Sequence, residues 1–76
     1  MTKSDLQQSI LDILKDLRGR AHLIDVAREI WSRHEADLRL NDLFYTWQYD
    51  MRWAAQRLVD EGKLTKIGHT GIWELR

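Results

Sequence analysis

Residues 46–75 read TWQYDMRWAAQRLVDEGKLTKIGHTGIWEL, a pattern typical of a helix followed by a β-hairpin. In its first half, apolar residues recur at the spacing of one helix face: Trp47, Met51, Ala54, Ala55 and Leu58. We therefore predict a helix over at least residues 46–61, ended by Gly62. The second half predicts two short strands, residues 64–67 and 72–75, around a Gly-His-Thr-Gly turn whose glycines accept a positive φ.

Two further helices are predicted upstream. The first covers residues 4–18, with an S-x-x-Q capping box at Ser4 and Gln7 and a left-handed Gly19 as its terminator. Its apolar stripe consists of Leu6, Ile10, Ile13, Leu14 and Leu17. The second covers residues 23–34, and its buried face consists of Leu23, Val26, Ala27 and Ile30, with Trp31 at the edge.

The segment before the third helix leaves two interpretations open. It carries Leu38, Leu40, Leu43 and Phe44, which make it too apolar for a solvated loop. Either it is a packed connector, or its second half forms the first turn of the third helix, capped by Asn41. The third helix then begins near Asp42 or near Thr46.

This order of elements predicts an α+β fold, a small winged helix-turn-helix of three helices and a C-terminal two-stranded hairpin. We expect residues 1–76 to form a single domain. Ala21 and His22 are too few for a sheet of their own, but they can add a short third strand to the hairpin. Because cysteine is absent, disulfides and thiolate metal sites are not available. Packing is expected to come from four tryptophans: Trp31, Trp47, Trp53 and Trp73.

Charge and hydropathy restrict the classes of partner. Twelve lysines and arginines balance twelve aspartates and glutamates, which counts against a strong nonspecific DNA binder. No run approaches the ~20 apolar residues of a membrane span, and the N-terminus lacks the apolar region of a signal peptide. We therefore expect no membrane partner, and the cysteine-free composition fits a location in the reducing cytoplasm.

The outward face of the third helix carries the residues best suited to reading DNA. In helix-turn-helix proteins the last helix enters the major groove. There Arg52 can reach guanine, and Gln48 or Gln56 can pair with adenine. Thr46, at the expected helix start, can donate to a phosphate beside free backbone N–H groups, and Tyr49 shares the face. The alternative is that these residue types simply make up a solvated helix face.

The hairpin is the more basic part of this region. The predicted third helix holds two arginines against three carboxylates, a net charge of −1, whereas residues 62–71 hold Lys63 and Lys66 and no acid. Since phosphate contacts supply most DNA affinity, Lys66, His69 and Thr70 are the candidate backbone contacts. Lys63 is equally well explained as a cation at the negative end of the third helix. We expect weak DNA affinity from one copy.

Trp53 has two interpretations. It points about 140° away from the middle of the core face of the third helix. Either the hairpin or the connector folds over it, or its ring is exposed and marks an interface with a protein partner or a second copy.

No catalytic or metal centre is predicted. His22 and His34 lie near opposite ends of the second helix, about 18 Å apart, which is too far to share a metal ion. His69 lies in the hairpin turn, and the carboxylates are scattered without a nucleophile, base and orienting group. We therefore expect no enzyme activity and no cofactor.

The last 30 residues resemble the N-terminal winged-helix domain of Mrr-type restriction endonucleases. The matching residues are 45–54 (YTWQYDMRWA), Leu58, 61–64 (EGKL) and 71–75 (GIWEL). The resemblance implies a DNA-recognition module in which Trp47, Trp53 and Trp73 are framework residues. This chain departs from the family pattern at Thr70, where an arginine is usual, so one expected DNA-facing cation is missing. Residues 1–76 contain no nuclease domain, so we do not expect cleavage activity from them.

Two functional hypotheses follow. The first is a DNA-binding winged helix that acts in regulation or as the recognition part of a restriction-like system, with the third helix in the major groove and the hairpin on the backbone of double-stranded DNA. The second is a protein-interaction module without DNA binding, which the neutral charge and the surface aromatic residues favour. The fold alone does not decide between them.

Overall fold

The structure, a computed structural model, describes residues 2–40 and 43–76. Its elements are α1 (Lys3–Asp16), β1 (Arg20–His22), α2 (Leu23–Arg39), α3 (Leu43–Asp60), β2 (Leu64–Ile67) and β3 (Ile72–Leu75). The strands form an antiparallel sheet in the order β1-β3-β2, and we call the β2–β3 hairpin the wing. The predicted α+β class and winged-helix arrangement are confirmed. So is the third strand, which includes Arg20 in addition to Ala21 and His22.

The three helices and the sheet share one core. All five residues of the predicted apolar face of α3 are buried: Trp47, Met51, Ala54, Ala55 and Leu58. They pack with the apolar stripe of α1, with Leu64 of β2 and with Trp73 of β3. Because β3 pairs with both other strands, its central Trp73 anchors the wing to the helices.

The ends of α1 differ from the prediction. The capping box is formed by Thr2 and Asp5, not by Ser4 and Gln7: the Thr2 N–H donates to Asp5 Oδ2 at 2.8 Å and the Asp5 N–H to Thr2 Oγ1 at 3.2 Å. The Asp5 carboxylate is also stabilised by the positive end of the helix dipole. The hydrogen bonds from Thr2 lower the pKa of Asp5 below its ordinary value.

At the other end, α1 stops at Asp16, two residues before the predicted end, and Gly19 is left-handed as predicted, but Arg18 before it has the same conformation. Both residues have a positive φ, 69° at Arg18 and 92° at Gly19. The Gly19 N–H donates to the Leu14 carbonyl at 2.7 Å and the Arg18 N–H to the Lys15 carbonyl at 3.2 Å. These two bonds are those of a Schellman motif, with Arg18 at the position that usually holds glycine.

Helix α2 is longer than predicted. The predicted end at His34 is a kink, with φ −129° and ψ 15°, and the helix continues to Arg39. His34 Nε2 lies 3.2 Å from the Ser9 hydroxyl of α1, and beyond it Leu38 is fully buried. The first half of the supposed connector is therefore helical, and it places Leu38 in the core.

Helix α3 begins at Leu43, close to the earlier of the two predicted starts. The predicted cap at Asn41 lies outside the described residues. The helix ends at Asp60, one residue before the predicted end, and Gly62 follows with a positive φ of 77°.

The turn of the wing contacts the start of α2. The Leu23 N–H donates to the Gly71 carbonyl at 2.8 Å. The ring of His22, the N-cap of α2, accepts the Ile24 N–H at Nδ1 and covers Gly71 with its other edge. This contact fixes the wing against the start of α2.

Candidate nucleic-acid interface

The α3 outward face, as we call Tyr45, Tyr49, Arg52, Trp53 and Gln56, is exposed. Tyr45 and Tyr49 are 88% and 77% exposed, whereas Trp53 is 44% exposed. Arg52 and Gln56 face solvent, as their positions in the sequence predicted, and Gln48 is exposed at the border of this face. The face therefore combines hydrogen-bonding groups with large aromatic rings.

A hydrogen bond joins the wing to this face. Lys66 Nζ on β2 donates to Gln56 Oε1 on α3 at 3.1 Å, and Gln56 Nε2 donates to Asp60 Oδ1 at 3.1 Å. The bond brings a cation of the wing beside the helix, although the sequence places them ten residues apart. Because all three side chains are exposed, water or a ligand can replace these bonds at small cost.

Thr46 is not at the helix start. Since α3 begins at Leu43, Thr46 lies three residues inside it, and the prediction that it borders the helix start was wrong. Its hydroxyl donates to Asp50 Oδ2 at 2.7 Å, and Asp50 is only 4% exposed. The structure thus gives the Thr46 hydroxyl a role in satisfying a buried carboxylate.

Thr70 and His69 occupy the turn of the wing. The Thr70 hydroxyl donates to the Ile67 carbonyl at 2.6 Å and accepts the Ile72 N–H at 3.2 Å, so it holds the turn closed. His69 is exposed beside it. Of the three wing residues predicted to face DNA, Lys66 and His69 project from the wing, while the Thr70 hydroxyl is occupied within it.

Trp53 lies between its two interpretations. It is 44% exposed, whereas Trp47 and Trp73, the other two tryptophans of the family pattern, are 7% and 3% exposed. The Arg57 guanidinium stands 5.6 Å from the centre of the Trp53 ring, a cation–π arrangement. Trp53 therefore contributes an aromatic surface that is partly covered by its own helix.

A groove between α2 and α3 was not predicted. It has a volume of about 740 Å³, and its apolar walls are Leu23, Ile24, Ala27 and Trp31 of α2 with Phe44, Trp47 and Met51 of α3. Trp31 stacks on Trp47, with ring centres 5.9 Å apart. Arg28, Gln48 and Arg52 are the polar lining residues of what we call the α2–α3 groove. Trp31 at the edge of the predicted α2 face was its one signal in the sequence.

The described residues show neither a metal-binding cluster nor a membrane-spanning helix. In residues 2–40 and 43–76, no three histidine, aspartate or glutamate side chains are grouped as metal ligands require. Over the same ranges, none of the helices is both long and apolar enough to cross a bilayer.

No protein-family model, curated protein or solved structure significantly matches this chain. The resemblance to the Mrr-type N-terminal domain therefore stays a hypothesis that depends on the motif residues alone. The function is inferred below from the site itself.

Proposed function

We propose that this protein is a winged-helix module that binds double-stranded DNA, with α3 in the major groove and the wing along the adjacent backbone. The observation that carries the proposal is the exposed Arg52–Gln56 face with Lys66 held beside it. A helix that presents hydrogen-bonding side chains outward, with a cation at its flank, suits base contacts and phosphate contacts respectively.

Arg52 is the first candidate for a base contact. Its side chain makes no hydrogen bond, ion pair or aromatic contact within residues 2–40 and 43–76, so no internal bond need break before it reaches guanine. Gln48 is exposed on the same side and is the candidate for adenine. Gln56 reads a base only after its bonds with Lys66 and Asp60 open.

The wing supplies the backbone contacts in this proposal. Lys66 and His69 are exposed, and Lys66 lies against α3, so both can reach a phosphate that flanks the major groove. Thr70 contributes through the shape of the turn. The few cations lead us to expect weak binding by one copy, which suits a regulator that binds as a dimer or a recognition module of a larger restriction-like system.

The proposed role is recognition without catalysis, in the compartment that holds the DNA. The cysteine-free composition is compatible with the reducing cytoplasm.

Binding of a fluorescently labelled, mixed-sequence duplex to three variants tests this proposal. We expect R52A and K66A each to weaken binding about threefold or more, since each removes a contact to base or phosphate. The control is K15A, which removes one exposed cation of α1, outside the interface, and is expected to bind like the wild type. Equal affinities for all four proteins would show that this surface does not bind DNA.

A specific observation favours a second candidate, a protein-interaction module. Tyr45, Tyr49 and Trp53 lie four residues apart along α3, so three exposed rings follow one line on the helix. Tyrosine, tryptophan and arginine are the residue types that dominate binding energy at protein interfaces. If this line is a homodimer or partner contact, W53A abolishes self-association or partner binding and leaves the domain folded; analytical ultracentrifugation and circular dichroism measure the two effects.

A further inference from the structure

We propose that the α2–α3 groove binds an acidic, amphipathic helical segment of a partner protein. This inference goes beyond DNA binding, because the α2 wall of the groove lies outside the proposed DNA interface, although Gln48 and Arg52 of α3 belong to both surfaces. Its walls and its charges each specify part of the partner's chemistry.

The apolar walls of the groove favour a partner that inserts apolar side chains. Ile24 is 50% exposed at the mouth of the groove, and Trp31 and Phe44 are half-buried within it. Deeper in, Trp47 and Met51 of the core form the floor. A helix that inserts leucine or another large apolar residue would cover this surface, and a groove between two helices is a common seat for such a helix.

The arginines that line the groove favour a partner with carboxylate side chains. Arg28 and Arg52 are the charged residues among those that line the groove, and no described carboxylate lines it. The Arg28 side chain is 79% exposed, and its guanidinium lies 4.0 Å from the exposed Asp25 carboxylate. This distance is long for an ion pair, so the pair is weak. Arg52 has no partner within residues 2–40 and 43–76. Arg39 stands 5.3 Å over the Trp31 ring, but its guanidinium is already paired with Glu35 at 3.1 Å and is not counted among the groove cations.

Nucleic acid would supply counter-charges for the arginines but would not cover the apolar walls of the groove. A phosphate backbone gives Arg28 and Arg52 their counter-charge, yet it leaves Ile24 and the exposed edge of Trp31 in contact with water or with phosphate. An acidic amphipathic helix pairs with both features, because its apolar residues fill the groove while its flanking glutamates or aspartates meet the arginines. We therefore assign the groove to a protein segment.

The test uses two synthetic peptides of about 15 residues, long enough to span a helical groove site. In the acidic peptide, leucines at i, i+3, i+4 and i+7 face one side, and glutamate and alanine occupy the rest. The matched peptide carries lysine in place of every glutamate, and neither contains tryptophan. Binding to the isotopically labelled full chain is followed by NMR, through the amide signals of Ile24, Arg28 and Gln48, and by the fluorescence of the tryptophans.

Two variants report on the groove and one serves as control. I24E places a carboxylate at the half-exposed mouth, in the first turn of α2, where a negative charge is compatible with the helix end. R28E reverses one wall charge. R76E makes the same change in net charge at the exposed end of β3, outside the groove. Circular dichroism and thermal unfolding establish that each variant is folded.

We expect the acidic peptide to shift the groove signals and the lysine peptide to leave them unchanged. I24E and R28E should weaken binding of the acidic peptide about tenfold, and R76E less than about twofold. The proposal is overturned if both peptides bind equally, if neither shifts the groove signals at about 1 mM, the weak limit of specific binding, or if the shifts lie elsewhere. It is also overturned if duplex DNA shifts the same signals and R28E weakens DNA binding as much, since the arginines would then serve nucleic acid.

Discussion

Lys66 on the wing donates a hydrogen bond to Gln56 on α3, with 3.1 Å between Nζ and Oε1. This contact places the cation of the hairpin at the border of the face that the proposed function directs into the major groove. Both side chains are exposed, so the bond itself contributes little to stability. Its importance is the position that it gives to the positive charge.

Substitution of Lys66 separates the charge from the hydrogen bond. K66Q removes the charge but keeps a donor for Gln56, so we expect the free energy of unfolding to change by less than about 0.5 kcal/mol. DNA affinity should nevertheless fall as it does in K66A, because a phosphate contact depends on the charge. Binding isotherms and urea denaturation of both variants measure the two effects. Wild-type affinity in K66Q would contradict a phosphate role for this residue.

Gly71 tests how the wing is fixed to α2. Its φ is 79°, and a Cβ there would lie 2.7 Å from His22 Nε2. G71A therefore combines backbone strain with a clash, and we expect it to lower the free energy of unfolding by about 2–3 kcal/mol. The matched control is G68A in the same turn, where φ is 49° and no atom lies within 4 Å. G68A should lower the free energy of unfolding only by the strain of a positive φ, about 1 kcal/mol.

A double-mutant cycle with His22 separates the two terms at Gly71. H22A alone removes the N-cap of α2 and should cost about 1 kcal/mol. In the H22A background the clash is gone, so G71A should cost no more than G68A. If G71A and G68A are equally destabilising in the wild-type background, the close contact between His22 and Gly71 does not exist.

Arg18 is a position where a substitution should stabilise the protein. It has a φ of 69° at the end of α1, a conformation that an arginine side chain disfavours and glycine accepts. We expect R18G to raise the free energy of unfolding by about 0.5–1 kcal/mol. The substitution relieves the strain of the left-handed conformation, and the greater entropy of glycine in the unfolded chain offsets part of that gain. K15G, within α1, should instead destabilise by about 1 kcal/mol. Destabilisation in R18G would refute the left-handed cap.

The capping box of α1 gives a defined pH dependence. Hydrogen bonds from Thr2 lower the pKa of Asp5 below its ordinary value, so the stability that they provide is complete above about pH 3.9. It is lost as the pH falls through the lowered pKa of the folded state, where the carboxylate becomes protonated. The difference in stability between the wild type and D5N should therefore shrink below that pH. A difference that stays constant from neutral to strongly acidic pH would contradict the capping box.

The sequence predicted the elements whose signals are local and unopposed. The apolar face of α3, from Trp47 to Leu58, and the strands at 64–67 and 72–75 agree with the structure. These signals succeed because the burial of a large apolar face dominates the local energetics.

Where two neighbouring residue pairs or residues could each cap a helix end, the sequence pattern did not identify the one that caps it in the structure. Thr2 with Asp5 and Ser4 with Gln7 both have capping-box spacing, and the structure uses the first pair. At the end of α1, glycine preference pointed to Gly19, but Arg18 also adopts the left-handed conformation, because the chain turns there into β1. The cost of about 1 kcal/mol is small beside the packing that the turn permits.

The candidate site depended on contacts that no sequence pattern contains. Thr46 was placed at a helix start that lies three residues earlier, and its hydroxyl serves the buried Asp50 instead. The bond between Lys66 and Gln56 depends on how the wing packs on α3, and the α2–α3 groove depends on how two helices cross. Both are tertiary features, which explains why Arg28 was not predicted.

The dependence of duplex-DNA affinity on salt tests the proposed function most directly. If the wing contacts the DNA backbone, the logarithm of the association constant should fall linearly with the logarithm of salt concentration, with a slope of about −1 to −2 for one or two neutralised phosphates. K66Q should reduce that slope by about 1. A slope near zero, or no binding even at low salt, would contradict DNA binding by this surface.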